Sequence, residues 1–258
     1  MGNAAFIDTS KCMACRGCQV ACKDQNRLPA GITKFRGEYT NPPVLQAHTW
    51  THILFTETES GRWLFAKYSC MHCIDAACIR VCPVEAVRRS KTGAVWHDRE
   101  KCVGCGLCVD HCPFDVPHIS PVTGKMAKCR GCIERVVNGY QPACVTTCPN
   151  EAIIYGKREE LLEKARQRVE VLQEQGHSEA RLYGAEELDG LSRLYVLLKP
   201  ASEYGLPDNP RHTAGVWTWQ AAKLPMRHLA TVGLFAGLIT AGLRWRGERI
   251  LKKQKHTL

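Results

Sequence analysis

No stretch of the 258-residue chain carries the Gly-x-Gly-x-x-Gly turn that cradles a dinucleotide, and none carries the Gly-x-Ser-x-Gly elbow that presents a nucleophile. With neither signature present, the sequence reads as a protein that conducts and does not catalyse. The N-terminus, Met1 to Phe6, lacks both the positive start and the apolar run of a secretory leader, so no cleavable export signal is expected. Compositional bias toward disorder is missing too, since 45% of residues are hydrophobic. A nucleic-acid-binding face is also absent. Of the formal charge of +10, half lies from Arg244 onward, where six Lys and Arg residues, Arg244 included, stand against Glu248 alone.

What the chain has in excess is cysteine: sixteen, in four tight groups. The first is Cys12-x2-Cys15-x2-Cys18-x3-Cys22, the second Cys70-x2-Cys73-x4-Cys78-x3-Cys82-Pro83 and the third Cys102-x2-Cys105-x2-Cys108-x3-Cys112-Pro113. The fourth is stretched, as Cys129-x2-Cys132-x11-Cys144-x3-Cys148-Pro149. The repetition reaches beyond the thiols. Asp8-x-x-Lys11-Cys12 is echoed by Asp98-x-x-Lys101-Cys102, Lys128 precedes Cys129, and Pro83-Val84-Glu85-Ala86 by Pro149-Asn150-Glu151-Ala152. Duplication of one small unit accounts for the pattern.

Iron in a cubane cluster takes soft thiolate ligands, one per iron, so sixteen cysteines provide for four [4Fe–4S] clusters with none left over. A disulfide framework does not explain triplets spaced x2-x2 with a fourth cysteine three residues on. Structural zinc uses Cys-x2-Cys knuckles set apart by longer loops. The run ending in Cys-Pro instead gives three thiolates to one cube and the fourth to a neighbour. Motifs two and three lie close enough for one two-cluster unit, with Cys70, Cys73, Cys78 and Cys112 on one cluster and Cys102, Cys105, Cys108 and Cys82 on the other. Motifs one and four then pair around it: Cys12, Cys15, Cys18 and Cys148 on the third cluster, Cys129, Cys132, Cys144 and Cys22 on the fourth. His72, His97, His111 and His118 lie near these motifs, and with the thiolate count complete they are expected to pack or hydrogen-bond around the ligands.

Between the motifs, the segments 87–90 and 94–97 around Lys91-Thr92-Gly93 read as a short hairpin, and 48–57 with 62–68 as a longer one. Leu161, Leu162, Ala165, Val169 and Leu172 follow a helical period stopped by Gly176. The expected class is α+β: tandem ferredoxin-like units over 1–157, with 69–113 as the inner unit, then a helical and extended extension over 158–223. A transmembrane helix is expected over 224–246, since Leu229 to Leu243 carries no charge, Arg227 and Arg244 can snorkel, and Trp217, Trp219 and Trp245 flank it. Gly233, Gly237 and Ala241 give it a smooth face for another membrane helix. The basic tail, 247–258, predicts a cytoplasmic C-terminus, which puts the cluster domain on the periplasmic or outer side of the inner membrane.

With Ile7-Asp8, Cys70-Met71-His72-Cys73, Tyr204-Gly205-Leu206-Pro207 and the four motifs in place, the chain resembles the iron–sulfur (beta) subunit of membrane-bound respiratory formate dehydrogenases. The resemblance implies a molybdenum or tungsten catalytic subunit that oxidises formate and carries this chain across the membrane on a twin-arginine signal. It also implies a cytochrome b subunit, met by the C-terminal helix, that reduces quinone. Relay subunits of hydrogenases and of polysulfide, nitrate, tetrathionate and dimethyl sulfoxide reductases share the four-motif core. The single C-terminal span and the linkers favour the formate enzyme.

Overall fold

The computed structural model describes residues 2–32, 34–35, 37–223 and Leu238. The expected membrane span, 224–246, lies outside the described residues except for Leu238, and the basic tail lies wholly outside them. Among the described residues no helix is long and apolar enough to cross a membrane. The chain divides into two units, 1–213 and 214–258, and of the second the described run 214–223 is helical.

In the first unit each cysteine motif is entered from a strand. Strand β1 (Asn3–Asp8) leads into motif one and its helix α1 (Gly17–Gln25); the hairpin β2 (Thr51–Glu57) and β3 (Trp63–Ser69) leads into motif two and α2 (Ala77–Arg80). The pair β4 (Val87–Arg89) and β5 (Val95–His97) joins motif two to motif three, whose helix is α3 (Leu107–Asp110). Strands β6 (His118–Ile119) and β7 (Met126–Ala127) do the same between motif three and motif four, which carries α4 (Ile133–Val137) and α5 (Ala143–Thr146). Strand β8 (Ile153–Lys157), helix α6 (Arg158–Glu174) and strands β9 (Arg181–Tyr183) and β10 (Arg193–Leu197) complete the unit. Both expected hairpins and the amphipathic helix form, and Gly176 follows α6 at φ +93°.

The extension expected after residue 157 is built into the body. Strand β10 lies parallel to β1, which is antiparallel to β8 on its other side, giving the order β8-β1-β10-β9. Successive residues of a strand point to opposite faces, and here the two faces serve different ends. Ala4, Phe6, Leu194 and Val196 pack on Leu161, Ala165 and Leu172 of α6. Ala5, Ile7, Tyr195 and Leu197 face the other way, into the layer that holds Cys18, Cys22, Cys70, Cys129 and Cys144. Strand β10 is buried along its whole length, which is why its run Arg-Leu-Tyr-Val-Leu shows no polar alternation.

Asp8 shows why Asp-x-x-Lys-Cys recurs. Its Oδ1 accepts the Ser10 N–H at 3.0 Å, closing the turn that delivers Cys12, and Asp98 accepts the Glu100 N–H at 3.0 Å ahead of Cys102. Asp8, 1% exposed, also accepts a 2.8 Å bond from Arg168 Nε, which ties the motif to α6.

Candidate metal centres

Each motif bends at the same place. The residue two after the first cysteine has a positive φ in all four: Ala14 at 55°, His72 at 49°, Gly104 at 69° and Gly131 at 69°. That left-handed step turns the chain back so that the first two thiols face one space, a conformation L side chains adopt at a cost of about 1 kcal/mol. At Gly104 only glycine fits, because a Cβ would lie 1.9 Å from the Gly124 carbonyl oxygen. A second left-handed step follows each Cys-Pro, at Glu85, Asp115 and Glu151. Motif one has Lys23 where the others have proline, so nothing stops its helix, and α1 runs nine residues where α3 runs four.

The loops gather the thiols in quartets. Cys12, Cys15, Cys18 and Cys148 line one cavity of about 410 Å³. Cys70, Cys73, Cys78 and Cys112 line a second of about 370 Å³, and Cys82, Cys102, Cys105 and Cys108 a third of about 340 Å³. Cavities so alike in size suit groups of one kind. The remaining four thiols, Cys22, Cys129, Cys132 and Cys144, are all buried, and Cys22 and Cys132 each interact electrostatically with both Cys129 and Cys144. Among the described residues no three Cys, His, Asp or Glu side chains close on a single ion. The quartets ring a space suited to a larger group.

The quartets stand in a row. Cys108 interacts with Cys78, and Cys18 with Cys144. Lys128 Nζ joins the middle two, 3.6 Å from Cys70 Sγ and 3.2 Å from the Cys129 carbonyl. The order is therefore 82/102/105/108, then 70/73/78/112, then 22/129/132/144, then 12/15/18/148. Of the sixteen thiols only Cys15 and Cys105 are exposed, one in each terminal quartet. Helix α1 packs on α5 and α2 on α3, so each pair of quartets shares one helix pair. Where the chain leaves this unit, Thr213 Oγ1 lies 2.6 Å from His111 Nδ1 at the end of α3.

The surroundings fit anionic iron–sulfur groups. Backbone N–H groups of Ala86, Met126 and Gly131 point at the sulfurs of Cys82, Cys102 and Cys129 at 3.3, 3.4 and 3.4 Å. Such donors stabilise thiolate charge. Lys67, Lys128 and Arg193 are 2%, 1% and 4% exposed, while Asp8 is the one buried carboxylate among the described residues and is already held by Arg168. A buried cation needs a counter-charge, and thiolate-bound clusters supply it. Sequence reading missed all three cations, because nothing local sets them apart from surface Lys and Arg. The histidines fall around the ligands as expected: His72 Nδ1 accepts the Val95 N–H at 2.9 Å while its Nε2 faces Cys129 Sγ at 3.5 Å, and His97 is fully buried.

Burial pushes the thiols of Cys18, Cys108 and Cys112 up to about 12, and those of Cys78 and Cys132 to about 11. Without metal these groups hold their protons at neutral pH, and ligation has to displace them. Loading the metal-free chain with iron and sulfide in weak buffer is therefore expected to release protons and acidify the medium. The sulfide gives up protons too as it enters the cluster, so a release no greater than the sulfide itself supplies would show the thiols already ionised.

Thiolate quartets in a row, each within reach of the next, define a multi-cluster iron–sulfur electron carrier. Residues 61–158 match the 4Fe-4S dicluster domain family. The chain is 39% identical over 243 residues to the iron-sulfur subunit of the nitrate-inducible formate dehydrogenase of Escherichia coli K12, covering 92% of this chain and 83% of that protein. It is 38% identical to the formate dehydrogenase-O iron-sulfur subunit of the same organism, covering 92% and 81%, and 38% identical to the formate dehydrogenase iron-sulfur subunit of Haemophilus influenzae, covering 90% and 77%. The chain belongs to the formate dehydrogenase iron–sulfur subunits. It holds [4Fe–4S] clusters and transfers electrons, and it is not the catalytic subunit.

Proposed function

We propose that the chain binds four [4Fe–4S] clusters, one per quartet, and relays electrons along the row from a molybdenum or tungsten subunit that oxidises formate to a cytochrome b subunit that reduces quinone. The observation that carries this reading is the row itself, with an exposed thiol at each end. Short steps between neighbouring quartets suit electron tunnelling, and exposed ends suit transfer to other proteins. Thr213 against α3 supports the Cys105 end as the exit, since the sequence beyond it leads to the expected membrane span. The Cys15 end then receives electrons from the formate-oxidising partner. In this reading 224–246 crosses the inner membrane once, the tail is cytoplasmic and the cluster domain is on the periplasmic side.

The test is to purify the complex from detergent-solubilised membranes. Iron and acid-labile sulfide near sixteen each per copy of this chain, after subtraction of the partners' content, are expected, with a molybdenum or tungsten subunit and a haem subunit co-purifying. Eight of each would mean two clusters and sink the four-centre reading.

A further inference from the structure

Of the four buried cations among the described residues, Arg158 is held by the carbonyls of Leu191, Gly184 and Ala185, and the other three are distributed unevenly along the row. Lys67 Nζ donates to Ser69 Oγ at 2.7 Å and interacts with Cys144 and Cys18, so it stands between the 22/129/132/144 and 12/15/18/148 quartets. Lys128 stands between Cys70 and Cys129. Arg193 comes from β10, on the face turned toward the cysteines, and interacts most with Cys129 and Cys144 and then with Cys70. Its Nε has no hydrogen-bond partner among the described residues. One quartet, 22/129/132/144, thus has all three cations around it. The 70/73/78/112 quartet has Lys128 and Arg193, and the 12/15/18/148 quartet has Lys67. For Cys108, in the 82/102/105/108 quartet, the interacting charges are other thiols.

A cubane gains one negative charge when reduced, so a fixed cation in a dry site favours its reduced form. We propose that Lys67, Lys128 and Arg193 are positioning charges that make the centre held by Cys22, Cys129, Cys132 and Cys144 the most easily reduced of the four. This rests on the four-cluster reading. The row is then not a uniform slope. An interior well holds the first electron, two steps from the Cys105 end.

The test is a redox titration of the intact complex followed by paramagnetic resonance, comparing wild type with Lys67→Met, Lys128→Met and Arg193→Met. One signal, the first to appear on reduction in the wild type, is expected to shift to lower potential in all three variants. Each shift should be at least a tenfold loss in its equilibrium constant for reduction, about 59 mV for a one-electron couple. Lys67→Met should also lower the 12/15/18/148 signal, and Lys128→Met and Arg193→Met the 70/73/78/112 signal. Lys67→Arg and Lys128→Arg should restore wild-type potentials. Iron content separates the two readings: fewer than four clusters in the wild type defeats the relay count, whereas four clusters with unshifted potentials overturn only the role given to the cations. Neutral variants that never load iron, beside charge-retaining variants that do, would overturn tuning in favour of assembly alone.

Discussion

Cys129→Ala is expected to slow formate-driven quinone reduction by about a hundredfold or more, while leaving formate oxidation with a soluble dye at the catalytic partner close to wild type. Substitutions that touch only the surroundings of a metal ligand reach about 10–100-fold, and removing a ligand goes further. The position matters as much as the chemistry. The 22/129/132/144 quartet is interior, so its loss opens a gap that an electron cannot pass around, since the quartets stand in single file. In the proposed four-cluster reading the variant should keep about twelve irons per chain, because the other three quartets take no ligand from this one. Equal loss of dye reduction and quinone reduction would mean that the substitution had damaged the partner or the assembly, not the row.

The thiol groups that line the three cavities match the grouping read from spacing, because cysteine repeats of this form are short and each motif carries its own geometry. Asp8 and Asp98 close the turns ahead of their motifs, and the left-handed step falls on Ala14, His72, Gly104 and Gly131 at the same offset. Local rules were enough there. They were not enough for β10, whose Arg-Leu-Tyr-Val-Leu run reads equally as a buried strand or a loose segment until β1, almost two hundred residues earlier, is laid beside it. The lysine before the first cysteine shows the limit most clearly. Lys11, Lys101 and Lys128 occupy one motif position, yet Lys11 and Lys101 are exposed while Lys128 is 1% exposed under β5, donating to the Val95 carbonyl. Sequence repeats carry the backbone turn faithfully. They do not carry the environment, which depends on what the rest of the chain packs against each copy.

Stripping the iron and sulfide under anaerobic conditions should abolish the fold of this chain. With the clusters gone, Lys67, Lys128 and Arg193 stay buried with no anion, since Asp8 is held by Arg168. Breaking a buried pair by removing one partner costs about 3–5 kcal/mol. Three such losses rival the whole stability of an ordinary domain, about 5–15 kcal/mol. Most thiols give little relief, because burial keeps Cys18, Cys78 and Cys112 protonated at neutral pH and a neutral thiol balances no cation; Cys129, which the cations draw down, is the exception. Little else holds the motif region: α2, α3 and α5 are four residues each, and β6 and β7 are two. Isolated elements that short do not persist in water. Circular dichroism of the metal-free chain should therefore show no cooperative thermal transition, and limited proteolysis should cut within 70–148 before it cuts α6. A metal-free chain that melted cooperatively and resisted protease there would mean that the cations find other partners, and that the clusters are passengers in a fold that stands without them.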